Sequence, residues 1–496
     1  MVFMKRILID VKSYPVVITG PLREVMPMEN IFTGPTQLPT EGPARKNIEG
    51  NTPMEDVDIL ISNGRILTLD ERDRIIQDGS VAIRDGKIVD LGEKETLQLR
   101  YHGQREIDAK GGIVMPGLIN GHTHAAMTCF RGIADDMELL EWLNRYIFPA
   151  EAKNVNPELA YWGSLLACAE MIRSGTTTFC DMYIFEDETA QAAKEAGMRC
   201  LVGEVLFDFP SPNAKSPEET LAYTRRLIQK WAGDPLVRIA VEPHALYTCR
   251  ESLLLDAKAL SREYGVPLAI HLLESKGEIQ ILTEKGIKAT QYLDRLGLLG
   301  PDFIAFHGVY LDEEDRAVFA DRGCKVVHNP ESNMKLASGI APVTAMIRAG
   351  IPVGLGTDGC ASNNNLDLFQ EMDTAAKLGK FALLDPTAMS ARTVLRMATC
   401  QGADVLGMGN HIGTLRAGMK ADLIIIDTEK PHLTPLYHAY SHLVYAANGS
   451  DVDTVLIDGR IVMKNRKLLT IDDGKVMTEV RRIAERIRGS LGMATS

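Results

Sequence analysis

Between Ile113 and Leu355 the sequence repeats one rhythm: a short apolar run, a polar loop, then a helical pattern. Eight runs read as strands, at residues 113–119, 176–181, 199–206, 238–241, 267–270, 303–306, 325–327 and 353–355. Helical patterns, for example residues 158–174 and 188–196, fill the intervals. A strand that returns parallel to its neighbour needs a crossover of a dozen residues or more, usually a helix. Eight such units in succession predict an α/β fold, a closed (β/α)8 TIM-like barrel rather than an open sheet.

Polar residues recur where these strands end. His122 and His124 follow the first strand, His244 the fourth, His271 and Glu274 the fifth. His307 follows the sixth, His328 and Asn329 the seventh, and Asp358 the eighth. Of the chain's 11 histidines, six fall at these junctions. One such histidine is an ordinary capped loop residue; six at one end of a barrel are not. That end is where barrel enzymes place their chemistry. Positions i and i+2 on a strand face the same way, so His122 and His124 can grip one ion. Histidine and aspartate suit Zn²⁺, Fe²⁺ or Mn²⁺, and these ligands do not separate the three. A catalytic ion keeps a position open for water and lowers its pKa towards ~7. Glu274, three residues beyond His271, is placed to move protons without ligating the ion.

The two ends of the chain read differently. Short alternating strands occur at residues 58–61, 79–83 and 87–89, with Asp85-Gly86 as a hairpin turn. Residues 421–427 and 455–462 repeat the pattern. We expect one small β-sandwich domain built from residues 56–112 plus 411–470, a barrel over 113–410, and a C-terminal helix or tail over 471–496. Residues 1–55, rich in Pro, Gly, Thr and Asn in their second half, read as a flexible extension.

A net charge of −12 argues against nucleic acid or an anionic membrane as partner. It leaves room for a nucleoside, which carries no phosphate. Eight scattered cysteines without a Cys-x-x-Cys pair point to reduced thiols and a cytoplasmic setting. No apolar run approaches a membrane span, and no signal peptide is expected. His-Glu-x-x-His, a phosphate loop, and His-x-Glu with Cys-x-x-Cys are all absent, which removes zinc proteases, phosphate-loop enzymes and cytidine-deaminase-type chemistry.

Met115-Pro116-Gly117-Leu118-Ile119-Asn120-Gly121-His122-Thr123-His124 resembles the first barrel strand of the amidohydrolase superfamily. Three further stretches narrow the likeness: Arg131 to Asp136 with Trp142-Leu143, His328 to Leu336, and Gly356 to Asn364. They resemble the 5-methylthioadenosine/S-adenosylhomocysteine deaminases and the related s-triazine hydrolases, over residues 56 to about 480. The resemblance implies one divalent metal, zinc before iron or manganese, held by His122, His124, His271 and Asp358. It implies His307 on the attacking water, Glu274 protonating a purine ring nitrogen, and Asp358 taking the water's proton. Glu151 matches the carboxylate that holds ribose hydroxyls, His244 a substrate-contacting histidine, and Trp142 an apolar wall. Relatives form dimers or tetramers, so a homo-oligomer is implied too.

The expected activity is hydrolytic deamination of adenosine-type nucleosides: 5′-methylthioadenosine, 5′-deoxyadenosine, adenosine and S-adenosylhomocysteine. The alternative is hydrolysis of an s-triazine or another amino- or chloro-heterocycle, which Glu151 disfavours because a triazine has no ribose diol. A non-enzymatic barrel is the third reading, and the full ligand set argues against it. Glu204 occupies the position where some members carry an arginine for the homocysteine carboxylate, with Lys215 in the loop that follows. We expect Glu204 to repel that carboxylate and to bias the enzyme towards neutral 5′ groups.

Overall fold

The structure is a computed structural model and describes residues 54–493. The extension expected over residues 1–55 lies outside them apart from its last two residues.

Parallel strands form the centre. β6 (Leu118–Thr123) pairs β7 (Thr176–Tyr183), which pairs β8 (Arg199–Leu206), which pairs both β9 (Val237–Ile239) and β10 (Glu242–Pro243). A second parallel run follows the order β11 (Leu268–Leu272), β12 (Phe303–His307), β13 (Lys325–His328), β14 (Val353–Leu355). Parallel bridges Val241–Leu268 and Ala245–His271 join the two runs on one side. On the other side Asp358 N donates to His122 O at 3.0 Å, and Asn120 and Thr357 exchange two hydrogen bonds of 2.8 and 3.0 Å. A Cβ at Gly356 would lie 2.8 Å from His122 N, so only glycine lets the last strand end approach the first this closely. The ring therefore closes as a barrel whose strand residues are buried, as all-parallel sheets require, apart from exposed Arg238 and half-buried Lys325. Helices between the strands start at capping side chains such as Asn156, Ser216 and Asp312.

Two strand readings need correction. The run over residues 113–119 is two strands in two sheets. β5 (Ile113–Pro116) pairs parallel with β1 (Glu55–Leu67) and antiparallel with β15 (Leu423–Ile426). The chain then passes into the barrel at Gly117, where a Cβ would lie 2.2 Å from the Thr177 side chain. The fourth strand is interrupted, with Ala240 and Val241 between β9 and β10.

β1 also pairs β2 (Ile75–Arg84) and β4 (Tyr101–Asp108), and β2 pairs β3 (Lys87–Glu93) across the Asp85-Gly86 turn, where both residues have positive φ. From β15 the sheet continues through β16 (Val452–Ile457), β17 (Arg460–Lys464) and β18 (Lys467–Leu468). Strands from both chain ends thus form one nine-stranded sheet. β15 shows how it packs. Leu423 and Ile425 join the small core with Ile59, Ile83 and Val114, while Ile424 and Ile426 join the barrel-side core. Successive side chains on a strand point to opposite faces, so one strand serves two cores. Arg199 at the foot of β8 ties the parts together: it binds Asp422 through Nε and Nη2 at 2.7 and 3.0 Å, with both side chains buried.

The helix Asp473–Leu491 lies in the expected C-terminal segment. All eight cysteines are buried and unpaired. Among the described residues no helix is long and apolar enough to cross a membrane.

Candidate active site

Five of the six strand-end histidines meet at the carboxyl end of the barrel. The rings of His122 and His124 are 4.8 Å apart, His122 and His271 4.9 Å, His271 and His307 5.5 Å, and His244 and His271 5.0 Å. His328 does not join them: it lines a groove with Pro342, Ala375 and Met389. Asp358 comes in from the loop after β14. Its Oδ1 lies 3.1 Å from His124 Nε2 and 3.4 Å from His122 Nε2.

Several of these groups are aimed by a neighbour. His271 Nδ1 is 3.0 Å from His244 O, which turns Nε2 inward. His124 Nδ1 contacts Met182 O in the same way. Ser332 and Ser362 donate to Asp358 Oδ2 at 2.6 and 2.9 Å, and Gly359 N donates to Oδ1 at 2.8 Å. Asp358 and His307 hold φ of 62° and 70°, and Leu273, just before Glu274, holds 53°. Strained backbone of this kind persists where its surroundings fix it, and it clusters at functional sites.

The electrostatics suit a cation. Burial pushes His122 down to about 3, only partly opposed by Asp358, and holds His271 well below its usual range. Both rings are therefore neutral. Burial also opposes charge on His124, but the hydrogen bond and negative charge of Asp358 lift it to about 9. Burial alone would raise Asp358, yet its contacts with His122 and His124 hold it well below the carboxylate range. Asp358 thus favours positive charge beside it, which a divalent ion would supply. Neither ring nitrogen of His122 has a hydrogen-bond partner, nor has His307 Nε2, although all are buried. Orphaned buried polar atoms cost about 1–3 kcal/mol each. Ligation of an ion through one His122 nitrogen removes that atom's cost, so the residues fit the group. His122, His124 and His271 form one compact donor set, and His122, His307 and Asp358 a second.

His307 Nε2 faces a gap, 3.9 Å from Glu274 Oε2 and 4.0 Å from Asp358 Oδ2. Its Nδ1 is 2.9 Å from Asn333 Oδ1. A water in that gap reaches two carboxylates and an imidazole. Glu274 is buried, and burial raises its pKa against the lowering effect of His307. It is therefore suited to hold a proton.

One pocket contains His124, His271, Glu274, His307 and Asp358 together with Glu151, His244 and Trp142. Glu151 lies on the helix Phe148–Asn154, buried, and its Oε1 accepts from Tyr183 OH at 2.7 Å. Burial raises it to about 7, opposed by that hydrogen bond. His244 Nδ1 is 2.9 Å from Thr248 Oγ1, and burial holds the ring near 3. Trp142 is both wall and core: it lines the pocket, and its indole donates to Ala134 O at 3.0 Å. Leu143, Ile147, Phe148, Val205 and Phe207 complete the wall. A second cavity continues past Phe148, Glu151 and Phe207 to Phe209, Pro210 and Pro212. Among the described residues no lysine or arginine lines either.

Glu204 overturns one expectation. Its carboxylate accepts from Glu186 N and Asn213 Nδ2, both at 2.9 Å, and it lines neither cavity. It faces away from the side that Val205 presents, so it repels nothing in the pocket. Conversely, Tyr183 was missed, with no signal beyond an aromatic residue at a strand end. Ser332, Asn333 and Ser362 stood inside quoted motifs without a role.

The chain matches the Amidohydrolase family over residues 113–462. It is 66% identical over 439 residues to the 5-methylthioadenosine/S-adenosylhomocysteine deaminase 1 of Syntrophus aciditrophicus, covering 88% of this chain and 99% of that one. It is 48% identical over 433 residues to the 5′-deoxyadenosine deaminase of Methanosarcina mazei, covering 87% and 98%. Among solved structures, an adenosine deaminase from Xanthomonas campestris with bound zinc superposes with a TM-score of 0.86 at 39% identity, covering 88% of this chain and all of that one.

Proposed function

Because this chain belongs to the amidohydrolase family, whose matching relatives here are hydrolases of C–N bonds, we propose that it deaminates adenosine-type nucleosides bearing a neutral 5′ group. The observation that carries this reading is the shared pocket: the His/Asp cluster, a proton-holding Glu274, and a buried Glu151 open onto one space. His122, His124, His271 and Asp358 would hold one divalent ion, zinc by preference. Bound there, the ion supplies a Lewis acid that makes water acidic enough to attack near neutral pH.

The chain's own groups do the rest. Asp358 Oδ2, steadied by Ser332 and Ser362, accepts the proton of the attacking water. His307 Nε2 orients that water from the gap between the two carboxylates. Glu274 delivers a proton to the purine ring nitrogen next to C6 as the new C–O bond forms. Asp358 passes the water's proton to the amino group, the C–N bond breaks as ammonia leaves, and the C6 hydroxyl proton returns to Glu274 as the carbonyl forms. Water and nucleoside thus give ammonia and the inosine analogue. Glu151 accepts from the ribose hydroxyls with the oxygen that Tyr183 leaves free. Trp142 and Phe148 exclude water around the base, and His244 contacts the substrate from the fourth strand end.

The 5′ preference rests on the apolar continuation past Phe207 rather than on Glu204. An amino-acid tail entering it meets no cation among the described residues and loses its hydration. A missing charged hydrogen bond of roughly 1.5–3 kcal/mol corresponds to about a 10- to 150-fold bias in kcat/KM. Steady-state kinetics on 5′-deoxyadenosine, 5′-methylthioadenosine, adenosine, S-adenosylhomocysteine and an amino-triazine test it. The first three should exceed S-adenosylhomocysteine by that margin. S-adenosylhomocysteine as best substrate removes the 5′ argument, and turnover of the triazine alone replaces the reading with its alternative. The eight buried, unpaired cysteines support a cytoplasmic setting.

A further inference from the structure

Arg131, Asp135 and Lys335 belong to the stretches that carry the family likeness, yet none takes part in the chemistry above. They meet in space. Lys335 ends the helix Pro330–Lys335 that follows β13. Its Nζ lies 2.5 Å from Asp135 Oδ1 and 3.4 Å from Ala361 O, and it also donates to Asn364 Oδ1. Arg131 Nη1 donates to Asn364 O and, at 3.2 Å, to Glu170 Oε1. Two cations thus join the segment after β6 to the loops after β13 and β14.

Both ends of this junction touch the pocket. Ala134, next to Asp135, accepts the Trp142 indole hydrogen bond, and the chain beyond Trp142 carries Phe148 and Glu151. Leu336, next to Lys335, lines the same pocket, and Ser362 in the third loop holds Asp358.

Resting on the proposed function, we propose that the Lys335–Asp135 pair is a latch. It keeps the covering segment, residues 134–151, closed over the nucleoside, which makes Lys335 a positioning residue for substrate binding. The side chains are 25% and 37% exposed, so the pair is screened and contributes little to global stability. Its leverage is local: the covering segment hangs from Ala134, beside the carboxylate that Lys335 grips. Opening the latch should weaken binding, because Trp142 and Glu151 no longer arrive together, while the cluster below keeps its rate.

The test compares K335M, D135N, the double variant and K335R as metal-loaded full-length enzymes. With 5′-deoxyadenosine, K335M and D135N should each raise KM about two- to fivefold with kcat within about 1.5-fold, the range open to one partly exposed pair. The double variant should be no worse than the worse single, and K335R should restore most of the loss. Metal content should not change. Amide hydrogen exchange over residues 134–151 should quicken in both single variants, with or without any turnover. That readout decides the latch even if the substrate assignment fails. Unchanged exchange there, multiplicative KM effects in the double variant, or a loss confined to kcat would overturn the proposal. If K335M does not fold, D135N and K335R still give the exchange comparison.

Discussion

Removing the Glu151 carboxylate separates nucleoside recognition from heterocycle hydrolysis. The side chain is 7% exposed, and Oε1 is committed to Tyr183 at 2.7 Å. One oxygen remains for the sugar. A lost hydrogen bond to a charged group costs about 1.5–3 kcal/mol. At 1.36 kcal/mol per decade, Glu151→Gln or Glu151→Ala should lower kcat/KM for 5′-deoxyadenosine about 10- to 150-fold. The 2′,3′-dideoxy analogue has no diol, so its kcat/KM should change by less than about threefold. The pH profile adds a signature. Burial raises Glu151 to about 7, so below that pH the group is protonated and cannot accept from both hydroxyls. For the diol substrate, kcat/KM should therefore climb as pH rises through about 7, whereas the dideoxy analogue lacks that limb. Tyr183→Phe removes a hydrogen bond that favours the ionised form, so it should move the limb to higher pH. Assays by ammonia release over a pH series suffice. Equal losses on both substrates, or a shared limb, would refute the role given to Glu151.

Glu274→Gln should keep its metal and lose about 10²–10⁴ in kcat, the usual range for a positioned acid-base group. Loss of the ion with little intrinsic rate defect would make Glu274 a ligand instead. Because Glu274 acts as an acid and burial raises its pKa, the wild-type rate should fall on the alkaline side as it ionises, and Glu274→Gln should lack that fall. Arg199→Met leaves the buried Asp422 without its guanidinium partner. Breaking such a pair costs about 3–5 kcal/mol, read as a lower denaturation midpoint with unchanged activity per folded molecule. An unchanged midpoint would mean that Arg199 does not hold the terminal sheet to the barrel.

The barrel was legible because its strands are apolar on both faces and separated by helices, and its polar residues fall at strand ends. The same double-sided burial hid a boundary. Residues 113–119 are apolar throughout, so periodicity could not show that they serve two sheets; Pro116 and Gly117 were the only marks. Side-chain direction was also hidden. Glu204 and Val205 are neighbours, and strand geometry sends one outward and the other into the pocket. His328 ended a strand like the others but faces a different groove. The three-loop junction at Lys335 joins residues 200 apart, a contact no local pattern reports.

One ion in the His/Asp cluster, served by Glu274, is expected to drive deamination of an adenosine nucleoside. The most direct test strips the protein with a chelator and follows ammonia release from 5′-deoxyadenosine while zinc is titrated back. Release should vanish on stripping and return linearly to a break at one zinc per chain. His122→Ala and Asp358→Ala should show no such break, because each removes a ligand. Full ammonia release from stripped protein, or zinc-loaded enzyme that releases none from any adenosine nucleoside, would contradict the account.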